Sequence, residues 1–243
     1  MNLLILGANS DVAYAVAKTF AKHKKADIYL ASRDMKLLEK KAQDLKIRYG
    51  IKTACLYFDA MDFESHLKFY QSLDPKPDGV VYAAGYMPDQ ETAQKDFNEA
   101  KKIVEINFSG AAAILEIVAD DFQKRGHGFI IGISSVAGER GRQSNYIYGA
   151  SKAAFTVYLS GLRNRLFKRN VQVLTVLPGF INTKMTESMD LPGLLTAHPD
   201  EVAEDIYKAL RKNRDVLYTK WFWKWIMAVI KRIPEKIFKR MGL

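Results

Sequence analysis

Tyr148 and Lys152 stand four positions apart within Tyr148-Gly149-Ala150-Ser151-Lys152, and Ser135 precedes them by the length of one loop. Residues at that spacing share a helix face. A lysine ammonium beside a phenol favours the phenolate and draws the tyrosine pKa toward the working range, so Tyr148 can give and take a proton. The Ser135 hydroxyl, brought to the same place, would hydrogen-bond the oxygen of a reacting carbonyl. A Tyr-x-x-x-Lys pair alone also describes many solvated pairs on surface helices, so the chemistry depends on elements that gather all three side chains. Tyr146 offers a second phenol, but its offset from Lys152 puts it on another helix face.

Those elements are legible as short Val/Ile/Leu-rich runs near residues 2–6, 27–32, 52–58, 79–83, 128–133, 171–177 and 215–218, alternating with longer helical patterns. Such alternation is the signature of βαβ units, and continuous apolar character marks strands covered on both faces. The expected fold is α/β: a single Rossmann-like doubly wound domain with a seven-stranded parallel sheet over residues 1–219, followed by an amphipathic helical tail at 220–243. At 243 residues and 48% hydrophobic, the chain can bury a full core as one domain. The first strand runs into Gly7-Ala8-Asn9-Ser10-Asp11-Val12-Ala13. Gly7 suits a tight turn, while Asn9, Ser10 and Asp11 are helix-capping types whose following amides can hold a pyrophosphate.

The glycine-bearing first turn, the apolar run before Ser134-Ser135, the Tyr148/Lys152 pair and Pro178-Gly179 at a strand end occur in one order. Together they resemble the short-chain dehydrogenase/reductase family over residues 2–219. The resemblance implies Ser135, Tyr148 and Lys152 as catalytic, with Asn107 supporting a water relay beside the lysine; a helix-interior asparagine can equally pack or kink. It implies a nicotinamide cofactor held by Gly7, Asn9, Ser10, Asp11, Val12, Arg33, Asp59, Ala60, Ala84, Gly85, Tyr148, Lys152, Pro178, Gly179, Ile181 and Thr183. Asp59 would meet the adenine, and Thr183 with the backbone near it would fix the nicotinamide carboxamide. Arg33, where NAD-dependent members carry an acid, favours NADP(H) over NAD(H) by pairing with a 2′-phosphate, unless the adjacent Asp34 neutralises it. Two features depart from the family pattern. Asp11 and Ala13 replace glycines, so the Asp11 carboxylate must turn away or cap the helix, and Tyr82-Ala83-Ala84-Gly85 lacks the asparagines that usually stiffen this strand end.

Cys55 is the one cysteine, so an internal disulfide is impossible and a buried, inert thiol in a reducing compartment is expected. The apolar run from Leu3 to Leu6 begins directly after Met1-Asn2, which leaves no room for an export signal and points to a cytoplasmic location. His23, His66, His127 and His198 are scattered without metal spacing, and no metal is expected. Arg140 and Arg142, between Ser135 and Tyr148, are candidates to clamp a substrate phosphate, or else surface or interface arginines. Residues 184–199, with Met185, Met189, Leu191, Leu194 and Leu195, read as a substrate lid or as plain core.

The net charge of +10 is uneven: the tail from 220 to 243 has seven bases against Glu235, or +6, leaving +4 for the rest. No groove-reading motif accompanies it, which argues against nucleic acid. Phe222, Trp225, Ile226, Val229 and Ile233 fall on one helical stripe with Lys220, Lys224 and Lys231 opposite, and Pro234 should break or restart the helix. The apolar run is far shorter than the roughly 20 residues that span a bilayer. The basic residues beyond the stripe favour peripheral contact with the inner face of the cell membrane, the rival being a homodimer interface. This tail, with Gly138-Glu139-Arg140 and Ser144-Asn145, is similar to the bacterial decaprenylphosphoryl-2-keto-ribose reductases. That subgroup implies reduction of a ketone on a polyprenyl-phosphate-linked keto-sugar or another lipidic ketone, and the family resemblance implies a homodimer or homotetramer. Two alternatives remain: a reductase of 3-oxoacyl or general ketone substrates, and a non-catalytic nucleotide-binding membrane scaffold.

Overall fold

All seven expected strands form in the computed structural model, which describes residues 1–187 and 192–242. They are β1 (Asn2–Leu6), β2 (Asp27–Ser32), β3 (Thr53–Tyr57), β4 (Gly79–Tyr82), β5 (Gly128–Ile133), β6 (Val171–Pro178) and β9 (Val216–Thr219). A separate two-stranded pair, β7 (Phe180–Ile181) and β8 (Thr196–Ala197), lies between β6 and β9 in the chain. The main sheet has the order β3-β2-β1-β4-β5-β6-β9, with every neighbouring pair parallel. The chain winds outward from β1 through β2 to β3, then returns to start β4 on the other side of β1. Such a reversal opens a crevice at the carboxyl ends of the two central strands, where open α/β sheets bind ligands.

Helices α1 (Asp11–Lys24), α2 (Met35–Tyr49) and α8 (Pro199–Arg211) cover one face of the sheet. The other face carries α3 (His66–Gln71), α6 (Gly110–Arg125) and α7 (Tyr146–Leu166), with α4 (Gln90–Lys95) and α5 (Phe97–Val104) leading into α6 through a π-turn at Glu105–Ser109. Strand residues such as Leu3, Ile5, Val80, Val81, Ile130 and Ile131 are fully buried, as a doubly covered sheet requires. His66 is buried against Phe58 and accounts for one histidine that the sequence left without a role. Cys55 is half-buried, and burial pushes its thiol pKa up, consistent with an inert packing thiol.

Beyond β9 the chain forms α9 (Trp223–Arg232) and, after Pro234, α10 (Glu235–Phe238). The expected restart at the proline is present, but the expected apolar stripe is corrected. Trp223 and Met227 are buried with Val136 and Leu177, and half-buried Phe222, Ile226 and Ile230 pack alongside. Trp225 and Val229, members of the expected stripe, are exposed, as is Trp221. The helix therefore has two apolar faces, one docked on the body and one open.

Candidate active site

Strand β5 ends at Ile133 and delivers Ser134 and Ser135 to the crevice. Ser134 is buried, its hydroxyl bonded to the Lys152 carbonyl (3.0 Å) and to Thr156 (2.7 Å), so it packs the α7 helix as expected of the first serine. Ser135 caps the short turn after it, accepting from the Ala137 amide at 3.1 Å. Tyr148 and Lys152 project from the first turns of α7 into the same cavity, with the Lys152 ammonium 5.8 Å from the centre of the Tyr148 ring. Lys152 is only 4% exposed and donates to the Ile133 carbonyl at 3.0 Å.

The electrostatics differ from the simple pairing that the sequence suggests. Burial lowers the Lys152 pKa to about 8. It also pushes Tyr148 up to about 12, with the Ser135 hydroxyl beside it pulling in the other direction. In the protein alone, desolvation dominates both groups, and it acts on Tyr148 in the direction opposite to that expected of a neighbouring ammonium.

Asn107 sits in the π-turn between α5 and α6 and is fully buried. Its side chain accepts from the Tyr86 amide (2.8 Å) and donates to the Tyr86 carbonyl (2.9 Å) and to Ser151 (3.0 Å). The side chain thus ties Tyr86 to α7, the packing role that a helix-interior asparagine also allows. The missing asparagines after β4 are replaced by Tyr82, whose buried hydroxyl donates to the Ile106 carbonyl at 2.6 Å. Tyr82 and Asn107 together tie the end of β4 to the π-turn and to α7.

Gly7 has φ +82°, and a Cβ there would meet the Ala84 amide nitrogen at 2.4 Å. Any side chain would drive the first turn away from Ala83-Ala84-Gly85 and fill the crevice. Ser10 caps α1 through the Ala13 amide (3.0 Å), whereas the Asp11 carboxylate accepts from the backbone amide of Lys184 at 3.0 Å. Asp11 is therefore neither cap nor intruder; it latches the first turn to the segment following Thr183. Asn9 donates to Ser32 (3.1 Å) and the Asp34 carbonyl (2.8 Å), while its own amide oxygen is buried without a partner. Asp34 caps α2 through the Leu37 amide, so it does not neutralise Arg33, which is exposed and in no ion pair among the described residues.

A cavity of about 420 Å³ joins these groups. Ser32, Arg33, Asp59 and Ala60 line one end, Gly7 to Val12 with Ala84 and Gly85 the middle, and Ser135, Tyr148, Lys152, Pro178, Gly179, Ile181 and Thr183 the other. Asn107 is not on its wall, though Ile106 is. The residues present fit a dinucleotide: a glycine cradle that a Cβ would fill, a buried orphan oxygen on Asn9 and an unpaired arginine stand in line at the sheet's switch point.

Sequence reading missed Met87, Phe180, Asn145 and Trp223 on the wall. For Trp223 a signal existed, since Trp223, Met227 and Ile230 form a second helical stripe beside the one chosen. Its indole rests where a Gly179 Cβ would lie, 1.9 Å from that position, and donates to the Leu195 carbonyl at 3.2 Å. Of the proposed lid, Leu195 packs on Trp223 and Leu194 is exposed; Met189 and Leu191 lie outside the described residues, as does the side chain of Met185.

The two candidate phosphate arginines separate. Arg140 donates to the carbonyls of Ile230 (2.9 Å), Lys231 (3.1 Å) and Ile233 (2.8 Å), pairs with Glu235 (2.9 Å) and stacks on Phe238 at 3.9 Å. It closes the carboxyl end of α9 and is corrected from clamp to structural tie. Glu139 accepts from Tyr218 at 2.9 Å and pairs with Lys231. Gly138-Glu139-Arg140 is thus the socket in which the tail is seated. Arg142 does line the cavity.

A family model for short chain dehydrogenase matches residues 1–192. This chain belongs to the short-chain dehydrogenase family. An uncharacterised oxidoreductase of Streptomyces coelicolor is 30% identical, covering 99% of this chain and 95% of its own length, and one of Mycobacterium tuberculosis is 31% identical over 98% and 96%. Among solved structures, a Burkholderia cenocepacia short-chain dehydrogenase in complex with NADP superposes with a TM-score of 0.85 at 19% identity, covering 100% and 97% of the two chains. A Sphingobium yanoikuyae member in complex with NADPH gives 0.83 at 22%, covering 96% of each. This short-chain dehydrogenase is accordingly an NAD(P)-dependent oxidoreductase with a Rossmann-like fold. Among its described residues, no helix is long and apolar enough to cross a membrane.

Proposed function

We propose that this enzyme reduces a ketone with NADPH, and that the ketone is a lipid-linked keto-sugar of the kind handled by decaprenylphosphoryl-2-keto-ribose reductases. The observation that carries the first half is the convergence of Ser135, Tyr148 and Lys152 on one end of a cavity whose far end offers the unpaired Arg33. Bound there, the cofactor supplies the hydride. Ser135 holds the carbonyl oxygen by a hydrogen bond, and Tyr148 delivers its hydroxyl proton to that oxygen as negative charge develops on it. The Lys152 ammonium stabilises the resulting phenolate, which must recover a proton before the next turnover. Asn107 and Tyr82 keep the β4 end and α7 in register, so that these three groups remain aligned.

Arg33 supports NADP(H) as the preferred cofactor, and the NADPH and NADP complexes of the structural relatives agree with that choice. Support for the lipid-linked substrate comes from the seated tail, which places the aromatic wall residue Trp223 next to exposed Trp221 and Trp225. A reductase of 3-oxoacyl or other small ketones would share the catalytic groups and is separated by substrate profiling. A pure scaffold would have no use for three reacting side chains at one cavity.

Replacing Tyr148 by Phe tests the core of this reading. Turnover should fall by at least about 100-fold, the usual contribution of a positioned general acid, while fluorescence titration still shows NADPH binding more tightly than NADH. Undiminished turnover in that variant would overturn the mechanism.

A further inference from the structure

Arg142 is half-buried on the cavity wall with its Nε fully enclosed and without a hydrogen-bond partner. Among the described residues, the one hydrogen bond its guanidinium makes is a weak one, from Nη2 to the Met227 sulfur at 3.3 Å. No carboxylate lies within 4 Å of it among the described residues. Glu139 is the acid that influences it, yet one oxygen of Glu139 is committed to Tyr218 and Lys231, and the other, buried without a partner, does not come within 4 Å of the guanidinium. Burial consequently holds the Arg142 pKa below its usual range, with Glu139 only partly offsetting that effect. A desolvated cation with unused donors costs free energy in the empty protein. Such an arrangement is stable in use when the working state provides an anion.

The position of Arg142 says which molecule brings the anion. It stands at the reacting end, with Tyr148, Asn145, Phe180 and Trp223, whereas Arg33 and Ser32 mark the opposite end of the same cavity. Asn145, beside it, also has a buried amide oxygen with no donor. A guanidinium with free donors next to an unpartnered acceptor matches an oxyanion group on a molecule that also bears hydroxyls.

We infer that Arg142 is a specificity-determining residue which binds an anionic oxygen group, a phosphate ester or phosphodiester, on a hydroxylated ketone substrate, with Asn145 accepting from one of its hydroxyls. This deepens the ketone-reductase reading and rests on it for the identity of the reacting end. The rest of the substrate lies against Phe180 and Trp223. Arg142 does not touch the bond that is reduced; it sets which ketones dwell beside Tyr148.

The test compares binding before turnover. Ribitol and ribitol 5-phosphate, as alcohol-state probes, are titrated calorimetrically into the wild-type chain and Arg142→Gln, each with and without saturating NADP⁺. Wild type should favour the phosphorylated probe by about 30-fold or more, the usual cost of removing one partner from an enclosed charge pair. Arg142→Gln should abolish that preference without changing NADPH affinity and without lowering thermal stability, and Arg142→Lys should restore part of it. Equal binding of both probes to wild type, or an unaltered preference in Arg142→Gln, would overturn the inference. A lower NADPH affinity in Arg142→Gln would assign the residue to the cofactor and likewise overturn it.

Initial rates with a ketopentose 5-phosphate, its methyl phosphodiester and its farnesyl phosphodiester in mixed micelles then distinguish a free anion from a lipid-borne one. For whichever is reduced, Arg142→Gln should raise KM by a similar factor with kcat little changed. Absence of turnover with all three, alongside an intact Arg142-dependent binding preference, would count against the ketone-reductase reading while leaving the anion site standing.

Discussion

Lys152 carries a charge in a place that does not favour it, and this makes it a reporter of the empty site. Its folded-state pKa of about 8 lies below the roughly 10.4 of an unfolded lysine, so between those values the unfolded chain binds more protons. Stability contributed through this group therefore rises with pH across that window, and its burden is fully present below pH 8. With the value taken at face, the span is on the order of 3 kcal/mol, though Tyr148 opposes it near the upper end, where its raised pKa favours the folded protonated phenol. Comparison with Lys152→Met isolates the lysine. Thermal melts of cofactor-free protein should show wild type gaining several degrees on the variant between pH 7 and pH 9.5; a constant gap would mean that Lys152 is not desolvated. That Ser135, Tyr148 and Lys152 meet at one cavity agrees with their spacing and with the family resemblance, but this sign was not readable from either. A four-residue offset suggests mutual stabilisation, whereas burial, which depends on Ile133 and the whole α7 contact, decides the pKa. Tyr82 shows the same limit: as a residue where an asparagine usually stands it looked like a loss, and only its position opposite the Ile106 carbonyl reveals the replacement.

Helix α9 illustrates why periodicity locates an amphipathic element better than it orients one. Two apolar stripes run along it, and choosing between them requires knowing that Gly179 leaves a hole the size of an indole edge. With Trp223 Nε1 1.9 Å from where a Cβ would sit, Gly179→Ala forces the tail off its seat. Overpacking of this kind costs about 1–3 kcal/mol, equivalent to a fall in Tm of roughly 2–12 °C for a chain of this size. Because Trp221 and Trp225 are already exposed, the emission of Trp223 is the component that should shift to the red, and KM for the ketone should rise as the wall recedes. An unchanged emission maximum with unchanged KM would show that the indole does not rest there. The strands, by contrast, were legible almost to the residue, since a continuous apolar run bounded by polar turns admits few other folds once seven occur in alternation with helices. The latch from Asp11 to the Lys184 amide was invisible for the opposite reason: it joins residues far apart in sequence through one carboxylate.

At the scale of the whole molecule, the helix that lines the cavity through Trp223 turns Trp225 and Val229 to solvent at 62% and 65% exposure, and Trp221 just before it is 73% exposed. Of the seven bases of the tail, Lys224, Lys231, Arg232, Lys236, Lys239 and Arg240 are also exposed and Lys220 is half-buried. Apolar rings flanked by bases match the interface of an anionic bilayer, where each base near the surface adds about 1 kcal/mol. A membrane-docked tail would hold the cavity mouth near the lipid phase, so a polyprenyl-linked ketone could reach Arg142 and Tyr148 without crossing bulk water. Sedimentation with vesicles containing 30% anionic lipid should pull down wild type at low salt and release it as ionic strength rises. Trp221→Ala with Trp225→Ala should weaken partitioning by about tenfold or more, given the 1.5–3 kcal/mol that burying a large apolar side chain contributes, while leaving turnover of a water-soluble ketone intact because neither ring faces the cavity. If vesicles retain neither protein and the native mass instead doubles with concentration in wild type alone, the ridge is a subunit interface. The lipid-linked substrate would then lose its route to the site, and the anion at Arg142 would have to arrive on a soluble ketone.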